Sequence, residues 1–554
     1  MPRSQRKVKV AIIGGGISSI AQACRLQETV GNQVEYTIYE RDTDLGGVWL
    51  NSLWKGCAVD IPIHLYCLYS ELNPAFRSKW AGRDEVLACK SPFLRLGKYL
   101  GTANRIVDKR RIRQHFVFNT TFTASEWDSV AQHHVITLRR ANGDEFTVHA
   151  DVLISATGAL NKPIIPNVPG RDKFKGEQWH SSKWREDLDF EGKKIAVIGN
   201  GSSGIQCIPY LSSLPGVQLT QFIRSPGYFR SKDNFEYSWW KKLVFRFVPG
   251  ALRVYRWWLF YEYDRAILSR GLGTFGTNLR RSMTNAVVSY MKSKAPEEYW
   301  PAIIPDYPMH CKRVAYNAGW LEALNLPNVH LSASPITSLD ETGLSTADDK
   351  HYDFDYVCWA TGFEVTETGV GLNHGVKGED GLELSELWKA KGGGYGYLGV
   401  AAPKIPNYFI VLGPNSIAMS WGYTLGHNTE FIARIIKGLI DHDLTSVVVK
   451  DSAMAEYNEY LNKRLQSTAL ALPECGPRSW YKDPQTGKLV APAPWTATEL
   501  WTRTRKIKFE DWKASRREGD KVVVVDVKSP PRWTPLDWFA SKLQSYLIGL
   551  MDDK

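Results

Sequence analysis

Two stretches of the chain share one pattern of apolar and polar positions. Val8–Ile13 is a nearly unbroken apolar run, followed by glycines and then by a helical period. A run with so few polar positions predicts a strand buried on both faces of a parallel sheet. Lys194–Ile198 opens the same succession of strand, glycines and helix. A second strand is predicted after each helix: VEYTIYE, ending at Glu40, and VQLTQFIRS, ending at Arg224. Two further short apolar strands, in LISATGAL (153–160) and DYVCWATGFE (355–364), both run into Ala-Thr-Gly. They mark points where the chain crosses between the two repeats.

The glycines give the repeats a chemistry. Gly14 permits the first tight turn, Gly16 lets a pyrophosphate approach the helix N-terminus, and the third position holds Ser19 rather than glycine. Glu40 at the strand end suits a free ribose hydroxyl. RDTDLGGVW follows directly, where Gly47 lets the chain pass close to a flat ring and Trp49 walls it. These features predict FAD at the first site. The second turn has Gly199, Gly201 and Gly204 in full, and Arg224 stands where the first site has Glu40. An arginine there accommodates a 2′-phosphate, which predicts NADPH. The expected fold class is therefore α/β, with two Rossmann-like dinucleotide-binding domains, one for FAD and one for NADPH, and a helical insertion. The expected division is 1–170 for the first part of the FAD domain, 171–355 for the NADPH domain with its insertion at about 235–300, and 356–475 for the second part of the FAD domain. Residues 476–554 form a C-terminal extension.

Outside this core, residues 235–275 interleave aromatic and basic side chains, and Pro249-Gly250 breaks them into two predicted helices. They could line a bulky pocket, rest on a membrane surface or pack as a plain helical subdomain. The tail has apolar residues at 536, 539, 543, 546, 547 and 550, an amphipathic spacing that predicts a helix docked on the protein, on a second subunit or on lipid. ASRREGDK (514–521) reads as a charged loop.

Composition narrows the classes. At 554 residues the chain is too long for one core. Its 21 Trp and 25 Tyr imply large aromatic-lined surfaces. The net charge of +11 is spread along the sequence, which argues for an anionic small molecule or headgroup and against nucleic acid. The eight cysteines show no metal-ligand spacing, and reduced, buried thiols are expected. The start runs straight into a strand with no leader, and no segment reaches the apolar length of a span. A cytoplasmic location is expected, with peripheral membrane contact left open.

One stretch carries a resemblance. FKGEQWHSSKW (174–184) resembles the FxGxxxHxxxW fingerprint of the Baeyer–Villiger monooxygenases, within the class B flavoprotein monooxygenases. Phe174, Gly176, His180 and Trp184 match, and Arg185 replaces the usual Pro or Asp. GGVWLNSLWKGCAVD matches a second family pattern at Gly46, Gly47, Trp49, Gly56 and Asp60, with Trp54 and Lys55 departing from it. CKRVAYNAGW (311–320) resembles the family segment with a Lys-Arg pair, and GPN (413–415), GHN (426–428) and RSWY (478–481) match further.

The resemblance implies that Lys312 contacts the NADP 2′-phosphate, that Arg313 is the active-site arginine, and that Asp60 orients it. It implies a monooxygenase that uses NADPH, FAD and O2 to insert oxygen beside a ketone carbonyl through a peroxyflavin, giving an ester or lactone. The fingerprint is expected to be a linker element between domains, with His180 hydrogen-bonding across a hinge rather than acting as a base. The aromatic insertion points to a bulky hydrophobic ketone of secondary-metabolite type. Two alternatives stay open: a class B enzyme oxidising nitrogen or sulfur, and a flavin-binding redox or membrane protein without turnover.

Overall fold

The computed structural model describes residues 6–87, 102–365, 372–418, 420–476, 479–529 and 542. The predicted tail helix lies outside the described residues, apart from Lys542.

Two five-stranded parallel sheets organise the molecule, and they are built alike. In the first, Val8–Ile13 is central. Val34–Tyr39 and then Phe116–Val117 lie on one side, and Val152–Ser155 and then Tyr408–Ile410 on the other. In the second, Lys194–Ile198 is central, flanked by Gln218–Phe222 and Val329–Ser332 on one side and by Tyr356–Trp359 and Glu177–His180 on the other. The Ala-Thr-Gly strands occupy the same place in both sheets. The central strands are almost wholly buried, as their apolar runs predict.

The sheets differ in where the outermost strand comes from. The first sheet completes itself with Tyr408–Ile410, from far down the chain. The second uses Glu177–His180, which precedes its central strand. Two expectations change here. The second sheet includes Tyr356–Trp359, so the return crossing falls after Trp359 rather than at 355. The fingerprint is not a free linker either, because its middle is an edge strand of the second sheet.

Smaller sheets hang on this frame. An antiparallel meander of Thr120–Asp128, His133–Arg140 and Glu145–Ala150, joined by Val376–Lys377, precedes the first Ala-Thr-Gly strand. The segment read as a charged loop is instead a hairpin, Trp512–Glu518 with Lys521–Val525. It extends Ser446–Val449, so this part of the C-terminal extension belongs to a sheet begun by earlier residues. Its outer half keeps charged side chains in solvent, which hid the strand in the sequence. The insertion is helical: Trp239–Phe247, Ala251–Ile267 and Thr274–Lys294.

Candidate active site

The first glycine turn is fixed by contacts that leave no room for side chains. Gly14 has φ +106°, and a Cβ there would sit 2.7 Å from the Ala156 carbonyl oxygen. Its N–H donates to Tyr39 O at 2.8 Å. Gly15 packs so closely on Glu40 that a Cβ would meet the carboxylate at 2.7 Å. Buried Glu40 accepts from the N–H of Gly15 with one oxygen and from the N–H of Asp42 at 2.8 Å with the other. Glu40 therefore braces the turn, and each carboxylate oxygen keeps a second lone pair for a hydroxyl donor. Ser19, at the third position, is fully buried and turns its Oγ back to Gly16 O at 2.8 Å. The helix Ile17–Thr29 begins at Gly16 with no side-chain cap and no acid in its first turn. Its first N–H groups are thus suited to an anionic ligand. Gly47, at φ +56°, lies against Gly16, where a Cβ would come within 3.2 Å of the Gly16 Cα. Trp49 follows, its indole N–H donating to Tyr66 Oη at 2.9 Å. This backbone-lined cleft fits a dinucleotide.

The second turn repeats the geometry. Gly199 has φ +115°, and a Cβ would lie 2.5 Å from the Ala360 carbonyl oxygen. Its N–H donates to Phe222 O at 2.8 Å. A Cβ on Gly204 would strike Gly199 O at 2.4 Å, whereas one on Gly201 would meet nothing within 4 Å. The third glycine is thus demanded by helix–strand packing, and the second faces open space. Helix Ser202–Leu211 is also uncapped and has no acid in its first turn. At the strand end, Arg224 is exposed, and Lys312 Nζ donates to Ser225 Oγ at 2.8 Å. Burial first, then the like charge of Arg224, push the Lys312 ammonium below its ordinary range. Two cations held near each other form a natural seat for a phosphate dianion.

Asp60 and Arg313 join the two halves. Arg313 Nη2 donates to Asp60 Oδ2 at 2.5 Å, and Ser202 Oγ donates to the same oxygen at 3.4 Å. Asp60 follows the first fold's Gly46-Gly47 segment, Arg313 comes from the second fold, and Ser202 starts the second fold's nucleotide helix. The Asp60 carboxylate, outweighing desolvation, holds the guanidinium above its ordinary range. The side chain of Gln206 braces this junction, accepting from Ala58 N at 3.3 Å and donating to Ala58 O at 3.2 Å.

The fingerprint residues pack around the crossings instead of entering this cleft. His180 Nε2 donates to Gly362 O at 2.9 Å, and its Nδ1 accepts from Ser182 N at 3.1 Å, an arrangement that defines the neutral tautomer. Burial pushes the imidazole below its usual range. Beside it the outgoing and returning chains pair, with Ile164 N donating to Gly362 O at 2.9 Å and Glu364 N to Lys162 O at 2.9 Å. Gly176 is required because a Cβ would lie 2.3 Å from Asp355 O. Phe174 is buried in the second fold's core. Trp184 meets Trp179 edge-on and packs at a tilt against Phe190 and Trp54, the last from the first fold's glycine-pair segment.

One expectation about cysteine is overturned. Cys311 and Cys475 form a disulfide across 164 residues, while Cys24, Cys57, Cys67, Cys207 and Cys358 are free and buried. Cys89 lies outside the described residues. The bridge immediately precedes Lys312 and Arg313. No spacing rule could reveal it, because only the fold brings the two segments together. Ser225, Ser202 and Gln206 were likewise missed. Ser202 and Gln206 sit in or beside the glycine motif, and their partners come from distant segments.

Comparison with known proteins agrees with this geometry. Residues 8–236 match the family described as pyridine nucleotide-disulphide oxidoreductase. The chain is 29% identical over 527 residues to the FAD-binding monooxygenase ktnD of Aspergillus niger, an alignment spanning 91% of this chain and 81% of that protein. It is 27% identical over 498 residues to a Baeyer-Villiger monooxygenase of Pseudomonas aeruginosa, covering 88% of each. Among solved structures, OTEMO in complex with FAD and NADP superposes with a TM-score of 0.74 at 23% identity, over 92% of this chain and 99% of that one, a likeness of fold. In its motifs, in its paired nucleotide folds and in relatives that align over most of its length, the chain is similar to the Baeyer–Villiger and other FAD-binding monooxygenases.

Proposed function

We propose that the chain converts a ketone, O2, NADPH and a proton into an ester or lactone, NADP+ and water, with FAD bound at the first glycine turn. The observation that carries this reading is the Arg313–Asp60 ion pair, set between the two nucleotide folds. When bound, NADPH supplies the hydride and FAD the activation of O2. Gly14, Gly16, Ser19, Glu40, Gly47 and Trp49 form the FAD cleft. Gly199, Gly201, Gly204, Arg224 and Lys312 hold the NADPH. Arg313 stays protonated and donates hydrogen bonds toward the negative charge that develops on the attacked carbonyl oxygen. Asp60 is a positioning residue: it fixes the guanidinium and moderates its charge. Phe174, Gly176, His180 and Trp184 position the second fold against the first.

Aromatic side chains near the pair, including Tyr66, Tyr263 and Tyr316, support an apolar, bulky ketone. Among the described residues no helix is long and apolar enough to cross a membrane. Peripheral contact with a membrane surface is part of the same reading. The test uses purified protein with bound flavin, NADPH, a panel of ketones and 18O2. One labelled oxygen in an ester product is expected. NADPH consumption that yields only hydrogen peroxide, whatever the ketone, would overturn the reading.

A further inference from the structure

Helix Trp239–Phe247 is inside out. No residue of it is fully buried, and most of its apolar side chains face solvent: Trp239 is 74% exposed, Phe247 68% and Trp240 56%, while Phe245 packs inward against His64, Tyr237 and Tyr255. Lys241 turns the other way. The Lys241 ammonium lies 4.6 Å from the Tyr255 ring centroid and 5.2 Å from that of Tyr237, and burial pushes it below its ordinary range. A surface helix of a globular protein normally does the reverse.

The next helix, Ala251–Ile267, continues the face. Its inner positions Leu252, Arg256, Leu259 and Ile267 are buried. Leu259 packs with Ile61 and Leu65, immediately after Asp60. The helix is pinned at Asp264, which accepts from Ala497 N at 2.5 Å and Thr498 Oγ1 at 3.1 Å. Its outer positions present Trp257 at 73% exposed, Val254 at 69% and Tyr261 at 64%. Among the described residues, the two helices thus present apolar side chains that nothing covers.

We propose that this helical hairpin, residues 239–265, is a docking surface for an anionic lipid membrane. Three observations favour lipid over another occupant. The face is rich in tryptophan, whose ring is amphipathic and settles at the headgroup level of a bilayer. The hairpin carries six basic residues and two acidic ones, and exposed Arg246, Arg253 and Arg265 flank the apolar side chains. That combination suits an interfacial helix held by apolar insertion and by attraction to anionic headgroups. A docking face for a second copy of this +11 chain would instead need acidic side chains opposite these arginines, and the hairpin's own exposed acid is Glu262. Docking sets the loop that carries Asp60 on the membrane side of the molecule, where an apolar substrate dissolved in lipid enters without crossing water.

The test is flotation of the full flavin-loaded chain with phosphatidylcholine vesicles, alone or with one-third phosphatidylserine. Binding to the anionic vesicles, weakened by high salt and lost in Trp239→Ser/Trp257→Ser, is the expected result. The variant's flavin spectrum and NADPH oxidation with a water-soluble ketone should match the parent, which separates lost docking from lost folding. Three results would overturn the proposal: no vesicle binding by a monomeric parent chain, binding that the variant retains, or a stable dimer in sedimentation velocity that the variant dissolves. The assay reads binding alone, so its failure leaves the oxygenase reading to the 18O2 experiment.

Discussion

At residue 40 the first nucleotide fold ends its second strand in a buried glutamate, and at residue 224 the second fold ends its own in an exposed arginine. Up to that point the folds agree closely. Both first glycines take a positive φ against an Ala-Thr-Gly strand, both helices start uncapped, and both central strands are buried. The backbone common to both provides a place for a pyrophosphate, and the strand-end residue decides which ribose lies beside it. The third position differs as well. Ser19 is buried and turns its hydroxyl back onto Gly16 O, whereas a Cβ on Gly204 would strike Gly199 O. One architecture thus yields two cofactor preferences through a few side chains.

The largest way to break this pairing is to cut the link between its halves. Arg313→Ala should leave flavin content intact and lower ester formation by about 100- to 1,000-fold, the scale on which a transition-state donor is lost. Product analysis beside NADPH consumption would show it, and an unchanged ester yield would remove Arg313 from the reaction. Asp60→Asn should cost less, because the guanidinium keeps its charge.

The two turns can then be separated. Strain and crowding of about 1–3 kcal/mol at each site predict roughly 10- to 100-fold weaker cofactor binding. Gly14→Ala should emerge depleted of flavin, seen in its visible spectrum. Gly199→Ala should keep the flavin but reduce it poorly with NADPH in anaerobic mixing. If both variants failed in the same way, the assignment of one cofactor to each turn would be wrong.

Giving the second fold the first fold's strand end sharpens the contrast further. Arg224→Glu should raise KM for NADPH about 10-fold or more, the value of a charge-assisted phosphate contact, while KM for NADH changes little. Equal effects on both coenzymes would place Arg224 away from the 2′-phosphate.

Stability provides smaller tests. Cys475→Ser removes the tie beside Lys312 and should cost about 2–4 kcal/mol, read by denaturant unfolding against the parent. An unchanged midpoint would mean the bridge adds nothing to folding. For pH, burial lowers the imidazoles of His180 in the second fold and of His134, the latter to about 3. A histidine held neutral in the fold contributes stability that is full above its unfolded value of about 6.5 and falls as pH drops below it, by about 1.4 kcal/mol per pH unit for each group. Thermal midpoints should therefore decline from pH 7 to pH 5, and His134→Asn should flatten that slope. A slope unaltered by the substitution would assign the acid sensitivity to other groups.

Much of the nucleotide-binding architecture could be read directly from the residues, because glycine turns and apolar strands are local and their physics is short-range. Glu40 and Arg224 sit at fixed offsets from those turns, so their contrast was legible too. Less legible was the role of the fingerprint. Phe174, Gly176 and Trp184 looked like a linker because the strand partner of 177–180 is Tyr356–Trp359, 179 residues away. The hairpin at 512–525 was hidden for a related reason: its edge strand keeps charged side chains in water and depends on Ser446–Val449 for pairing. The disulfide had no local signature of any kind.

By itself the sequence determined two nucleotide folds, and it pointed to FAD beside the acid, NADPH beside the arginine and, by motif, an arginine–aspartate pair. Tertiary structure alone decided that Asp60 and Arg313 meet, that Cys311 reaches Cys475, that His180 locks the paired crossings, and that Lys241 of helix 239–247 points inward while its tryptophans point out. The reason is range: turn, strand and helix preferences depend on neighbours a few residues apart, whereas each of these contacts joins segments that only the packed sheets bring within bonding distance.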